Sequence, residues 1–216
     1  MNETGKTLLV GFGNKARHGK DYVANEVHAL LPRETRLYSF ASSLKAVARV
    51  LGMRAKDGPL LQALGTDVFR KMDPDIWVRV LKYQIEEEAP KCALITDCRF
   101  PNEANYIRNS GGILVRVVRL QVVEGFWKRL DARYMSRNWF DSILPVEWVS
   151  SDRDPKHLSE VALDDYPFDV TIRAMSGDLG FLREQAKELA GLICRELEVP
   201  NTFKHEIPKT IVRRKI

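Results

Sequence analysis

Gly11-Phe-Gly-Asn-Lys-Ala-Arg-His-Gly-Lys-Asp21 is the stretch of sequence that decides the fold. It follows an apolar run over residues 7–12, which predicts a strand, and it precedes apolar residues at helical spacing from residue 22 onward. A phosphate-binding loop requires this placement, because the loop N–H groups and the N-terminus of the following helix must converge on the anion. The stretch therefore predicts a phosphate loop between the first strand and the first helix.

The loop follows the pattern G-x-x-x-x-G-K-[ST] with two departures. Gly19 and Lys20 match, and a lysine at this place reaches the phosphates, whereas Asn14 replaces the first glycine and Asp21 the final hydroxyl residue. Asparagine tolerates left-handed backbone angles, and a carboxylate near phosphates requires Mg²⁺ or an ordered water between them. A turn that binds nothing is the alternative to a nucleotide-binding segment formed by Gly13, Asn14, Lys15, Ala16, Arg17, His18, Gly19, Lys20, Asp21 and Tyr22.

Strand and helix patterns alternate along the rest of the chain. Parallel neighbours need crossover connections, so this alternation predicts an α/β fold with a parallel sheet flanked by helices. We expect a single domain over residues 1–198, interrupted by an inserted lid at about 121–156 and followed by a basic tail over 199–216. Further strands are predicted at 35–40, 92–96, 113–118 and 170–172, and further helices at 44–51, 59–69, 76–85, 102–109 and 179–197.

The composition is that of an ordinary soluble globular protein of 216 residues. It has 34 Lys+Arg against 29 Asp+Glu and a formal net charge of +5, which fits a nucleotide or nucleic-acid partner. No apolar stretch is long enough to span a membrane, and the N-terminus lacks a signal-peptide pattern, so we expect a cytoplasmic protein. Three cysteines without C-x-x-C spacing predict neither a disulfide framework nor a zinc site. Association into a homodimer is left open.

A second chemical signal lies at the end of the predicted strand over residues 92–96. Asp97 follows this apolar run, where a carboxylate can reach Mg²⁺ or its waters. Arg99 would emerge at the same sheet edge, where open α/β sheets bind their ligands. We therefore expect Asp97 and Asp21 to hold the metal and Arg99 to contact a phosphate.

Several segments together resemble the bacteriophage deoxynucleoside monophosphate kinases. The similarity spans residues 7 to about 195 and is carried chiefly by the Gly-Lys-Asp ending of the loop and by Asp-x-Arg-Phe-Pro-Asn-Glu. The segments are Asn14-Lys-Ala-Arg-His-Gly-Lys-Asp21, Ser39-Phe-Ala-Ser-Ser-Leu-Lys45, Leu64-Gly-Thr-Asp-Val-Phe-Arg70 with Asp73-Pro-Asp-Ile-Trp77, Thr96-Asp-Cys-Arg-Phe-Pro-Asn-Glu103, and His157-Leu-Ser-Glu160 with Leu163-Asp-Asp-Tyr-Pro-Phe-Asp169.

The resemblance implies a P-loop fold of the nucleoside monophosphate kinase type, with ATP as donor, a deoxynucleoside monophosphate as acceptor and Mg²⁺ as metal. It implies that Lys20 holds donor phosphates, with Arg17 nearby. For three acceptor-side residues structural alternatives stay open: Phe40 and Trp77 as core aromatics, and Arg70 as a surface partner of Asp67 or Asp73. The residues assigned to the acceptor pocket are Ser39, Phe40, Lys45, Arg70, Trp77 and Arg99.

The predicted insertion carries basic and aromatic residues. Arg129, Arg133 and Arg137 recur every four residues along one side of a helix, and the resemblance implies catalytic roles for Arg133 and Arg137 on a closing lid. A solvated basic helix face is the alternative. Interleaved aromatics and cations also suit a kinase that phosphorylates a modified base such as 5-hydroxymethyluracil in DNA. A catalytically inactive nucleotide-binding regulator and a small-metabolite kinase of related fold remain as competing functions.

Overall fold

The strands of the sheet are short and mostly apolar. The computed structural model describes residues 6–53, 58–121, 146–148 and 154–199. Within these ranges the strands are β1 (Leu8–Gly13), β2 (Thr35–Tyr38), β3 (Cys92–Cys98), β4 (Ile113–Gln121), β5 (Val146–Glu147) and β6 (Val170–Met175). The helices are α1 (Lys20–Leu30), α2 (Phe40–Val50), α3 (Gly58–Gln62), α4 (Ile76–Glu88), α5 (Pro101–Asn109), α6 (Leu158–Val161) and α7 (Leu179–Glu196).

Five of these strands form a parallel sheet in the order β2-β3-β1-β4-β6. β1 lies between β3 and β4, so the loop that follows it leaves the sheet at its centre. β5 is antiparallel and pairs with Leu120 and Gln121, the last two residues of β4. β6 already occupies the other edge of β4, so β5 lies on the edge that β1 uses earlier along the strand. The predicted α/β fold with a parallel sheet between helices is confirmed.

The sheet is buried on both faces because helices cover each of them. α1 and α7 pack on one face, with Val23, Val27, Leu189 and Ile193 in the core beneath them. α2, α4 and α5 cover the other face, where the core includes Leu44, Leu81, Ile85 and Ile107. No helix in the described ranges is long and apolar enough to cross a membrane.

Two predicted elements differ from the structure. The predicted strand over residues 35–40 is wrong at its end, since β2 stops at Tyr38 and α2 begins at Phe40. The reason is a long-range cap: the Asp97 carboxylate accepts the N–H groups of Phe40 and Ala41 at 2.8 and 2.9 Å. The predicted helix over 59–69 exists, but after α3 it continues as a π-helix from Ala63 to Arg70. This helix type is rare in proteins as a whole, and where it occurs it is often found at functional sites.

Candidate functional site

The predicted phosphate loop connects β1 to α1, at the place that the sequence predicts for it. Gly19, at the N-cap of α1, has a φ of 90°, and its lack of a side chain leaves the first N–H groups of the helix without a side-chain cap. Asn14 and Arg17 also have positive φ, at 116° and 58°. These angles bend the chain sharply, as a loop needs in order to turn its N–H groups towards an anion.

Lys20 is almost fully buried at the start of α1, with 5% of its surface exposed. Its ammonium group donates to the backbone carbonyl of Lys15, across the turn of the loop. Burial, and then the positive charge of Arg99, lower the pKa of Lys20 to about 7. Burial and the Arg99 charge disfavour the charged form of Lys20 more than the nearby carboxylates favour it, and a bound anion would favour the charged form again.

A pocket of about 320 Å³ lies beside this loop, at the carboxyl ends of β2 and β3. Its lining combines apolar side chains, such as Leu44 and Leu61, with polar ones, such as Gln62 and Thr66. The structure brings eight of the predicted site residues to this one pocket. They are Asp21, Ser39, Phe40, Lys45, Arg70, Trp77, Asp97 and Arg99.

The Asp97 carboxylate is already bound by three protein donors. Besides the two N–H groups of α2, the hydroxyl of Ser39 donates to Asp97 Oδ2 at 2.7 Å. Asp97 therefore fixes the start of α2 against the end of β3. Each carboxylate oxygen has two lone pairs, so Oδ2, which accepts from Ser39 and Ala41, is fully used, while Oδ1, which accepts only from Phe40, can still accept a metal-bound water.

Arg99 is held by α6, which comes from a distant part of the chain. Its guanidinium Nη1 donates to Glu160 Oε1 at 2.6 Å and to the carbonyl of Ser159 at 3.3 Å. The second oxygen of Glu160 accepts the N–H of Ala16 in the phosphate loop at 2.7 Å. Glu160 is 6% exposed and so forms a buried link between this loop and Arg99.

Arg70 lines the pocket and forms an ion pair with a buried carboxylate, that of Glu103. Its guanidinium lies 4.0 Å over the ring of Phe100 and pairs with Glu103, which is fully buried. Glu103 also accepts the N–H groups of Arg99 and Phe100 at the start of α5, at 2.7 and 3.1 Å. Burial raises the pKa of Glu103, and Arg70 opposes this shift. The alternative of a surface pair for Arg70 is wrong, because Lys71 and Arg79 take Asp67 and Asp73.

The two aromatic residues assigned to the acceptor pocket belong to its wall and to the core at once. Phe40 and Trp77 are buried in the cluster beneath α2 and α4. Trp77 donates through Nε1 to the carbonyl of Gly65 at 3.2 Å and meets the ring of Phe69 edge-on. Their structural and pocket-lining roles are compatible.

The remaining residues of the loop make contacts away from this pocket. Lys15 lies near Glu147 and Asp164, with N···O distances of 3.7 and 3.4 Å. The Tyr22 hydroxyl accepts a hydrogen bond from Arg183 at 3.2 Å. Gly13 packs against Phe168, whose ring would clash with a Cβ at this position.

A second pocket, of about 270 Å³, lies on the other side of the phosphate loop. Arg17, His18 and Gly19 line it together with Arg119 and the turn from β6 into α7, where Ser176 accepts hydrogen bonds from Arg119. The loop thus separates two cavities, one beside α2 and one beside α7. This arrangement leaves space for one ligand on either side of the phosphate loop.

Some predicted features lie outside the described residues. These are Arg129, Arg133 and Arg137, most of the predicted insertion, and the tail from residue 200. In the described part, no three His, Cys, Asp or Glu side chains are grouped as a metal site. Asp21 and Asp97 line the same pocket without forming a protein cage for an ion.

Sequence reasoning gave too little weight to Glu160 and Glu103. Glu103 had one usable signal, since a Glu in the first turn of a helix commonly caps that helix. His157 has a structural role at the start of α6: its Nδ1 accepts the N–H of Ser159 at 3.2 Å and lies 2.9 Å from the Ser159 hydroxyl. No local pattern indicated that Glu160 would reach the phosphate loop.

Comparison with known proteins gives a match in the middle of the chain. The family model for deoxynucleotide monophosphate kinase matches residues 58–126. A deoxynucleoside-5'-monophosphate kinase of Escherichia phage T5 is 37% identical over 65 residues, which are 27% of this chain and 26% of that protein. The family-model match includes Arg70, Trp77, Asp97 and Arg99, and it leaves the phosphate loop outside.

Solved structures of low sequence identity align with most of the chain. A putative kinase from Chloroflexus aurantiacus is 14% identical with a TM-score of 0.46, covering 89% of this chain and 97% of that one. A tunicamycin resistance protein from Deinococcus radiodurans is 12% identical with a TM-score of 0.43, covering 90% and 98%. The sequence match alone carries the comparison, and over this stretch the predicted resemblance to the phage-type deoxynucleotide monophosphate kinases is confirmed.

Proposed function

We propose that this chain transfers the γ-phosphoryl group of ATP to a deoxynucleoside 5'-monophosphate. The observation that carries the proposal is the convergence of Asp21, at the end of the phosphate loop, with Arg99 and Arg70 on one pocket whose lining also includes apolar side chains. Donor and acceptor phosphates are both anions, so an enzyme that joins them must supply several cations in a partly dry site. The similarity of residues 58–126 to deoxynucleotide monophosphate kinases supports the same reaction.

The donor phosphates would lie on the loop N–H groups and the N-terminus of α1. Lys20 would exchange its bond with the Lys15 carbonyl for a phosphate oxygen and regain its full charge. The nucleoside end of the donor would occupy the cavity of about 270 Å³ beside Arg17 and the β6–α7 turn. These positions leave the terminal phosphate directed towards Arg99.

The acceptor would occupy the pocket between α2, the π-helix and β3. Its base would contact Leu44, Leu61 and Trp77, and its phosphate would face the cationic side formed by Arg99 and Arg70. An acceptor phosphate is already ionised at neutral pH, so the reaction needs no general base. The main tasks of the protein are alignment of the two phosphates and neutralisation of charge.

The available carboxylates suit a Mg²⁺ ion that keeps several water ligands, and not one coordinated entirely by protein groups. Asp21 and Asp97 offer the oxygen ligands that Mg²⁺ prefers, and this ion commonly keeps several waters beside phosphates. When bound, it neutralises charge on the transferred phosphates. Asp97 also holds α2 in place, so its carboxylate serves the acceptor side as well.

The proposal includes the domain organisation expected from the sequence. Residues 1–198 would act as one catalytic unit, with the insertion at about 121–156 as a lid and residues 199–216 as a tail. Arg133 and Arg137 stay predictions for that lid. Action on free nucleotides in the cytoplasm belongs to the same proposal.

The test is ADP release from Mg-ATP with a panel of acceptors. The panel contains dTMP, dGMP, dCMP, dAMP, 5-hydroxymethyl-dUMP, and single- and double-stranded DNA, with purified Lys20→Ala as the blank. We expect turnover with at least one free monophosphate and none in Lys20→Ala. ADP release with DNA alone would favour a kinase that phosphorylates a modified base in DNA. No ADP release with any acceptor would favour a nucleotide-binding regulator.

A further inference from the structure

The phosphate loop lies beside a gap in the hydrogen bonding of β4. β1 pairs with β4 as far as Arg116, and β5 pairs with the same edge of β4 from Leu120. Residues 117–119 of that edge therefore have no strand opposite them, apart from the Arg119 carbonyl, which accepts the N–H of Trp148 at 2.9 Å. Backbone groups buried at such a gap need other partners.

Two side chains of the loop supply these partners. The Asn14 amide donates to the carbonyl of Val117 at 2.9 Å, and the N–H of Arg119 donates to His18 Nδ1 at 3.3 Å. Both loop residues are nearly inaccessible, with 6% and 3% of their surfaces exposed. Asn14 and His18 thus continue the sheet where the backbone of β1 has already turned away.

The same two side chains also bind the segment that contains β5. Asn14 Nδ2 donates to Glu147 Oε1 at 3.0 Å, and His18 Nε2 lies 2.9 Å from the carbonyl of Trp148. With Nδ1 accepting, the ring proton lies on Nε2 and is donated to that carbonyl. Burial lowers the pKa of His18, in agreement with this neutral form.

We infer that Asn14 and His18 are positioning residues that fasten the phosphate loop to β4 and β5 before nucleotide binds. Asn14 therefore does not weaken the loop motif by replacing its first glycine. It adopts the positive φ that glycine would provide, and its side chain forms hydrogen bonds to β4 and Glu147 that glycine cannot form. Preorganisation of this kind increases affinity because the loop loses less freedom on binding. The inference rests on the proposed function only for the identity of the ligand, a nucleoside polyphosphate.

The test uses Asn14→Gly, which restores the motif glycine, together with Glu147→Ala and the double variant. Glycine accepts the φ of 116° without strain, so Asn14→Gly is expected to fold. We expect the Kd of ADP to rise roughly three- to ten-fold in Asn14→Gly, the effect of one to two net hydrogen bonds. The double variant should lose less than the sum of both changes, since they remove one shared contact.

Two further readouts separate this role from a general loss of structure. Glu147→Gln keeps an oxygen acceptor for Asn14 and should restore most of the affinity that Glu147→Ala loses. Amide exchange of residues 14–20 without nucleotide should be faster in Asn14→Gly, with no change in α4. Unchanged exchange, or an ADP affinity equal to or better than that of the parent, would overturn the inference. If the parent chain binds no ADP, the proposed function fails, while the exchange measurement still decides whether the anchor exists.

Discussion

Replacement of Glu160 by alanine should reduce both the stability and the turnover of this chain. The carboxylate accepts one bond from Arg99 at 2.6 Å and one from the Ala16 N–H at 2.7 Å, and it is buried. Loss of one partner from a fully buried ion pair costs about 3–5 kcal/mol. The Arg99 side chain is 19% exposed and keeps its bond to the Ser159 carbonyl, so part of its charge is solvated in the variant. We therefore expect the free energy of unfolding to fall by about 2–3 kcal/mol.

The assay combines thermal unfolding with initial rates measured well below the transition temperature. For a chain of this size, about 2–3 kcal/mol corresponds to a Tm lowered by roughly 5–10 °C. We expect kcat to fall at least about ten-fold, since a misplaced cation loses transition-state stabilisation of this order. Glu160→Gln keeps an acceptor oxygen and should lose only about 1 kcal/mol of stability.

Glu184→Ala serves as the matched control for this prediction. Glu184 lies on the surface of α7 and pairs with Lys187 at 2.7 Å, and such exposed pairs contribute about 0–1 kcal/mol. The control should retain the parent kcat and nearly the parent Tm. If Glu160→Ala keeps the Tm and kcat of Glu184→Ala, the bonds by which Glu160 joins the phosphate loop to Arg99 contribute neither to stability nor to turnover.

Three further predictions follow from the site. Burial lowers the pKa of Lys20 to about 7 in the ligand-free chain, and a bound phosphate would raise it again, so ADP binding at pH 8 should take up a proton. Calorimetry in buffers of different ionisation enthalpy measures this uptake, which Lys20→Met should abolish; its absence in the parent chain would contradict the expected contact. Asp97→Asn should lower stability by about 1–2 kcal/mol in urea unfolding, because one donor at the start of α2 loses its acceptor. An unchanged urea midpoint would show that the hydrogen bonds from the start of α2 to Asp97 contribute little to stability. Arg133→Ala and Arg137→Ala should lower kcat, and normal turnover in both would assign these arginines to a solvated surface.

Local patterns were sufficient to predict most of the fold. Apolar runs such as residues 92–96 indicated strands buried on both faces, and glycine and lysine spacing located the phosphate loop. Each of these signals lies within a few residues of the element it predicts. The family resemblance then identified the acceptor-side residues Ser39, Phe40, Lys45, Arg70 and Trp77, which the structure brings to one pocket.

The contacts that fix the site could not be predicted, because they join residues far apart in the chain. Glu160 is 61 residues from Arg99, and Glu147 is 133 residues from Asn14. The residues next to a glutamate in the sequence do not indicate whether its carboxylate will be buried against a distant segment. The end of β2 was misplaced for the same reason, since Asp97, 57 residues from Phe40, determines where α2 begins.

The most direct test of the central claim is the fate of the γ-phosphate. The chain is incubated with Mg²⁺, ATP labelled at the γ-position and each deoxynucleoside monophosphate in turn, and the products are separated by chromatography. The proposed function predicts label in the β-phosphate of a deoxynucleoside diphosphate, in amounts equal to the ADP formed, and none with Lys20→Ala. Label that remains in ATP, or appears only as inorganic phosphate with every acceptor, would contradict it.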